Sequence, residues 1–401
     1  MKPSSVARGI GSLVFDAIEQ ATHIVEGVHA TIAAAPLPFG PQPEREARGV
    51  SGLVYGGVRV VNDSVRTVVD RALRVLSTDV EPALSRPEWD AVRSAVNGVL
   101  GDHLVETGNP LAIPMSFRRG GRSLPADRAG LAAAVPGATD RLLVLVHGVC
   151  MSDRQWRRRG HDHGAALERD LDYTAVYLHY NSGRHVSENG RELAEKLETL
   201  VAAWPLPVQE IAIVAFSMGG LVARSACCYA PPESRWRDLL RSIVFLGTPH
   251  HGAPLERGGN WLQTLVAVSP YTAPLSRLGA IRSSGITDLR YGSVVDEDWN
   301  GADRFRAVGD RRSCTPLPSG VACFTVAAAL GDERSGIEDR LLGDGLVPIA
   351  SALGDHPRAP RVLEFPEGRR WTGYGMSHWD LLDRSEVYAK LVEWLSERRS
   401  S

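Results

Sequence analysis

The residue with the most suggestive chemical surroundings is Ser217, in the string Ala215-Phe-Ser217-Met-Gly219-Gly220. An apolar run, Glu210 to Phe216, precedes it, and a helix-forming stretch from Met218 to Tyr229 follows. A serine at such a strand-to-helix turn sits on sharply bent backbone, so its neighbours two residues away must be small. Gly219 meets that need, and Ala215 stands where glycine is more usual. Such a serine attacks a carbonyl carbon once a base takes its proton. The amides opening the following helix lie close to the oxygen that then gains charge. The string alone is short, and any serine between a strand and a helix can produce it.

Three further segments give it company. Leu142 to Val146 is wholly apolar and runs into His147-Gly148-Val149-Cys150. A second oxyanion donor is expected there, so the amides of Met218 and Val149 are the expected oxyanion hole. His147 and Gly148 are expected beside the substrate, with His147 also bracing the loop. Cys150 reads as a small packed residue. Gly343-Asp344-Gly345-Leu-Val-Pro348 and Met376-Ser-His378-Trp-Asp-Leu-Leu382 come later in the chain. A histidine can take a proton near neutral pH and return it to a leaving group. A carboxylate can hold that imidazole in the right tautomer. An aspartate between glycines is also an ordinary turn residue. Asp332, Asp339 and Asp355 compete for the acid role, and His356 rivals His378. In the company of Ser217, the reading is Ser217 as nucleophile, His378 as base and Asp344 as orienting acid.

Other polar groups are ambiguous. Tyr180-Asn-Ser-Gly-Arg-His185 follows a strand and either shapes a pocket, with Tyr180 at the substrate, or is a plain loop. His250, in His250-His251, is expected to support the site. His161-Asp-His163 lacks the further spaced ligands that a metal needs, and no metal or other cofactor is expected. Arg157-Arg-Arg159 reads as a solvated face.

These residues require a scaffold of strands alternating with helices. Thr174 to Tyr180, Glu210 to Phe216, Ser242 to Leu246, Val321 to Ala329 and Arg361 to Phe365 read as strands. Ser187 to Ala203, Met218 to Tyr229 and Ser385 to Arg398 read as helices. That alternation predicts an α/β fold, a mostly parallel central sheet with helices on both faces. Residues 253–319 lose the pattern and are too long for an ordinary loop, so they read as a cap or lid insertion. Residues 1–110 read as a helical N-terminal extension and 111–401 as the catalytic domain. Apolar residues recur at helical spacing from Ile10 to Ile32 and from Val54 to Leu76, around a break with four prolines between Pro36 and Pro43. A third helix with Trp89, Val92, Val96 and Leu100 follows, with Ser85 and Glu88 as its capping box. These helices either pack on the catalytic domain or offer a peripheral membrane or oligomer contact.

Composition narrows the field. With 43% hydrophobic and 23% charged residues, the chain can bury a large core. A formal net charge of -2 argues against nucleic acid as a partner. Five cysteines, two of them adjacent, are no disulfide framework and favour a reducing compartment. Acidic residues interrupt the N-terminal apolar positions, so no signal peptide is read there, and a cytoplasmic location is expected.

Taken together, these strings resemble the lipase and esterase branch of the α/β-hydrolase superfamily, over roughly 111–398. Leu246-Gly-Thr-Pro-His-His-Gly252 is similar to strings in bacterial triacylglycerol lipases and inositol-deacylase-like hydrolases. The chain order Ser, Asp, His also fits. The resemblance implies a carboxylic ester hydrolase that forms an acyl-enzyme on a small-molecule or lipid ester. It leaves open an acyltransferase or thioesterase with the same three residues, and a non-catalytic membrane-associated protein that keeps only the fold.

Overall fold

The apolar run Leu142–Val146 is buried at every position, as a strand covered on both faces must be. A computed structural model describes this strand and its surroundings, covering residues 86–253, 283–300, 310, 312–332 and 343–396. The helical runs expected at 10–32 and 54–76, Ser85, most of the 253–319 insertion and Asp339 lie outside the described residues.

The elements follow in chain order. They are α1 (Arg86–Glu106), β1 (Ser116–Arg119), β2 (Arg122–Ser123), α2 (Arg128–Ala134), β3 (Arg141–Val146), α3 (His163–Leu171), β4 (Thr174–His179) and α4 (Val186–Ala203). Next come β5 (Glu210–Phe216), α5 (Met218–Tyr229), α6 (Arg235–Leu239), β6 (Leu240–Leu246) and α7 (Ser284–Asp288). The chain continues with β7 (Ala322–Ala329), α8 (Ile349–Ala352), β8 (Arg370–Tyr374) and α9 (Ser385–Ser396). Among the described residues, eight strands form one sheet in the order β2-β1-β4-β3-β5-β6-β7-β8. From β4 to β8 every pairing is parallel, while β1 runs antiparallel to both β2 and β4.

Alternation along the strands divides the core in two. Leu142, Val144, Ile211, Ile213, Ile243 and Phe245 face a cluster shared with α1, α4 and α5. Leu143, Leu145, Val214, Val244 and Val326 face the other, shared with α3 and α9 through Leu167, Leu391 and Trp394. Helices therefore cover both faces.

The helix α1 belongs to this core. Val99, Leu100 and Leu104 are buried to 2% exposure or less. Its Asn97 is fully buried and acts like a piece of backbone: Nδ2 donates to the Leu111 carbonyl at 2.8 Å, and the Ile113 amide donates to Oδ1 at 2.9 Å. The side chain thus fills the place of a neighbouring strand for a segment that has none.

Two local expectations change. Residues 361–365 are not the last strand; β8 lies at Arg370–Tyr374. Leu363 and Phe365 do alternate inward, at 5% and 6% exposure. Pro360 and Pro366 bracket them, however, and each proline lacks the N–H a ladder needs. The short hairpin β1–β2 was not anticipated. Its turn is Gly120-Gly121, both at positive φ, but its second strand is only two residues. Among the described residues, no helix is long and apolar enough to cross a membrane.

Candidate active site

Ser217 stands between the end of β5 and the first residue of α5. Its backbone is at φ 54° and ψ -125°, a region that costs a non-glycine residue about 1–3 kcal/mol. The turn is tethered: the Ser217 amide donates to the Leu246 carbonyl at 2.8 Å, and the Gly220 amide to the Ser217 carbonyl at 3.1 Å. Gly219 is required sterically, since a Cβ there would lie 2.4 Å from the Val146 carbonyl oxygen and 2.6 Å from that of His147.

Beyond β7 and β8, two turns meet in a buried pair. His378 Nδ1 lies 2.6 Å from Asp344 Oδ2, and neither side chain is more than 1% exposed. The other carboxylate oxygen, Oδ1, accepts the amides of Leu346 at 2.9 Å and Val347 at 2.8 Å. The His378 amide returns to the Asp344 carbonyl at 3.2 Å. The imidazole is 4.6 Å from the Phe216 ring, centroid to centroid, beside the turn that carries Ser217. Its Nε2 is buried and has no hydrogen-bond partner among the described residues. Ser217 Oγ therefore does not hydrogen-bond to it in this conformation.

The loop after β3 closes the third side. A Cβ on Gly148 would sit 3.0 Å from Ser217 Cβ, so this glycine lets backbone approach the serine. Cys150 adopts φ 60°, and its amide is taken by Ser182 Oγ at 3.0 Å. Among the described residues, the amides of Val149 and Met218 find no such acceptor. Burial pushes the Cys150 thiol up to about 12, which keeps it protonated and unreactive.

The remaining residues fall around this centre or away from it. His147 and Tyr180 are buried at 1% exposure or less. Their rings stack at 4.4 Å, and the Tyr180 hydroxyl donates to the His147 carbonyl at 2.8 Å. They lie beneath the loop and brace it. Burial pulls His147 down to about 4, so its ring is neutral. His250 is fully buried and lines a cavity that Ser217, Asp344 and His378 do not reach. Asp355 pairs with Arg370 at 2.7 Å, and His356 lies near Asp310 and His251. Asp162 caps α3 through the Gly164 and Ala165 amides, while His161 and His163 bond to each other at 2.8 Å.

Several residues that hold the site carry no sequence signal. Arg157 and Arg159 are exposed, as a solvated face requires, and the run also makes ion pairs: Arg158 with Asp383 at 3.0 Å and Arg159 with Asp380 at 3.2 Å. Asp380 also accepts the Ser377 amide and hydroxyl, so the turn bearing His378 is pinned from two sides. Arg118 bonds Asp153 at 3.1 Å and Arg154 bonds Asp90 at 2.7 Å. Those pairs tie the loop after Cys150 to β1 and α1. Their partners are distant in sequence, and only the assembled fold brings them together.

A mostly parallel sheet, with a serine elbow after β5 and an aspartate and a histidine after later strands, is the α/β-hydrolase fold. Comparison with solved structures finds likenesses of low identity. The mature lipase BlEst2 of Bacillus licheniformis is 20% identical over 63% of this chain and 90% of its own, with a TM-score of 0.39. Lipase B of Aspergillus fumigatus is 15% identical over 70% and 56%, at 0.42. The esterase Pf2001 of Pyrococcus furiosus is 15% identical over 65% and 82%, at 0.38. No curated protein matches by sequence. One family model, described as a domain of unknown function (DUF7379), matches residues 71–289, more than half of the 401 residues, and the chain belongs to that family.

Proposed function

We propose that the protein is a serine hydrolase of carboxylic esters, acting on a small-molecule or lipid ester through an acyl-enzyme. The observation that carries this reading is the buried Asp344–His378 pair at 2.6 Å, which leaves Nε2 as the imidazole's only unpartnered nitrogen. Asp344 fixes the tautomer with hydrogen on Nδ1, so Nε2 presents a lone pair. Ser217 Oγ gives its proton to that nitrogen and attacks the ester carbonyl. The amides of Val149 and Met218 receive the oxyanion. His378 then passes the proton to the departing alcohol, and the acyl group remains on Ser217. Water, deprotonated by the same imidazole, releases the acid and restores the serine. Gly148 gives the carbonyl room, while His147 and Tyr180 hold the loop that presents Val149.

Hydrolysis of nitrophenyl esters from acetate to palmitate, wild type beside Ser217→Ala, tests the reading. Turnover should fall by at least about a thousandfold in the variant. The wild type should also be labelled covalently by a serine-directed phosphonate, and the variant should not. Equal esterase activity in both proteins would remove Ser217 from the chemistry.

A further inference from the structure

Away from Ser217, Asp344 and His378, a cavity of about 270 Å³ opens between α5, the loop after β6 and the segments 312–316 and 360–363. Its wall contains Arg224, Arg312, Arg361, His250 and His251. Arg224 projects from α5 about two turns beyond Ser217 and is 3% exposed. Its Nη2 donates to the Thr315 carbonyl at 2.5 Å and its Nη1 to His250 Nδ1 at 3.4 Å. Its Nε is buried without a partner, and no carboxylate pairs with it among the described residues. A buried cation without a counter-charge is costly, and such groups are normally paired.

The neighbouring charges do not supply the missing anion. Asp310 is shared by Arg312, at 3.0 Å, and Arg361. Asp298 turns its oxygens to the amides of Val294, Val295 and Ser313. His250 accepts from Arg224 on Nδ1, so its hydrogen is on Nε2, and that buried donor has no acceptor among the described residues. His251 meets the Gly354 carbonyl through Nε2 at 3.0 Å, which leaves Nδ1 as a buried acceptor unmatched among the described residues. Beside the cavity thus lie two orphaned donors, Arg224 Nε and His250 Nε2, and one orphaned acceptor, His251 Nδ1; all three are closed off as the side chains stand, so a ligand reaches them when those side chains turn.

We propose that this cavity is a binding site for a phosphate group, with Arg224 and His250 donating to its oxygens and His251 Nδ1 accepting from a protonated one. A carboxylate or sulfate would satisfy the donors but bring no hydrogen for His251. The phosphate comes either free from solution or on a lipid headgroup, and the two sources are separable.

The test is the thermal midpoint of the full chain at matched ionic strength, in inorganic phosphate, sulfate and chloride, with vesicles of phosphatidylcholine with and without phosphatidic acid as the lipid arm. A saturable rise with phosphate, larger than with sulfate, is expected. In Arg224→Met the phosphate-free midpoint should be unchanged or raised, because an unpaired buried charge is gone, and the rise should vanish. Arg169→Gln, at an exposed arginine, should keep it. Should Arg224→Met fail to fold, Arg361→Met at the cavity wall is expected to weaken the response. Sedimentation with acidic vesicles only, lost in the same variant, would assign the phosphate to a lipid headgroup. No response to either source, an equal response to sulfate, or a response that survives both substitutions would overturn the proposal.

Discussion

Asp344 uses its two oxygens for different purposes. Oδ2 faces the imidazole of His378 at 2.6 Å, and Oδ1 accepts two amides of its own turn. Asp344→Asn separates these roles. Its carbonyl oxygen keeps the Leu346 and Val347 amides, so the turn should survive. Its NH2 then faces Nδ1 and forces hydrogen onto Nε2, where it cannot accept the serine proton. On the proposed mechanism, kcat for a nitrophenyl ester should fall by about 10⁴ with KM little changed, and far-UV circular dichroism should match the wild type. A small drop in kcat would mean that Asp344 serves only its turn. At this scale much of the candidate site was legible in the sequence. Small residues around a serine, His-Gly after an apolar run and a glycine-flanked aspartate are each local strings. The arginine–aspartate ties around them were not legible, because Arg158 and Asp383 are joined by packing and share no local pattern.

At the scale of elements, α4 depends on a residue about a hundred positions away. Its N-terminus has no cap from His185. Asp288, at the end of α7 and 1% exposed, accepts the Val186 amide at 2.8 Å and His185 Nδ1 at 3.0 Å instead. Asp288→Ala should leave that amide unmet and lower unfolding free energy by about 1–3 kcal/mol, measured by urea titration. Asp288→Asn should recover part of the loss through its carbonyl oxygen. A sequence reading cannot find a cap supplied from another element. It does find β5 and α5 closely, because an unbroken apolar run gives way at once to a helical one. It misplaced the last strand, since alternating Leu363 and Phe365 satisfy the pattern while the flanking prolines deny the ladder.

For the whole molecule, buried neutral histidines set a limit in acid. Burial lowers His147 to about 4, His163 to about 3, and His250 well below its usual value. The unfolded chain protonates each near pH 6.5, so between there and the folded values it binds more protons than the native state. The stability these groups contribute is complete above that pH and declines as pH falls through the window. Each should add up to about 1.4 kcal/mol per pH unit to the slope. Urea titrations between about pH 6.5 and 5, above the carboxylate range, should show the decline, and His163→Gln should reduce it by about one proton's worth. A flat profile there would mean that these rings charge freely in the fold. The alternation that specified the two-faced sheet was plain in the chain. That α1 belongs to the same core was less so, because its apolar stripe alone does not say what it packs against.

The Asn97 side chain, which stands in for a strand, is followed by Gly98. Asparagine before glycine is the pair whose side chain cyclises most readily onto the next amide, losing ammonia and reopening as aspartate or isoaspartate. In the native helix that amide is held, and the carboxamide is occupied at both ends. Each excursion to the unfolded chain removes that protection. The product would bring a carboxylate to face the Leu111 carbonyl, where two acceptors meet and no hydrogen lies between them. Molecules that unfold for long enough would therefore age into a form that cannot close its core again, and the history of the sample would be written at a single atom.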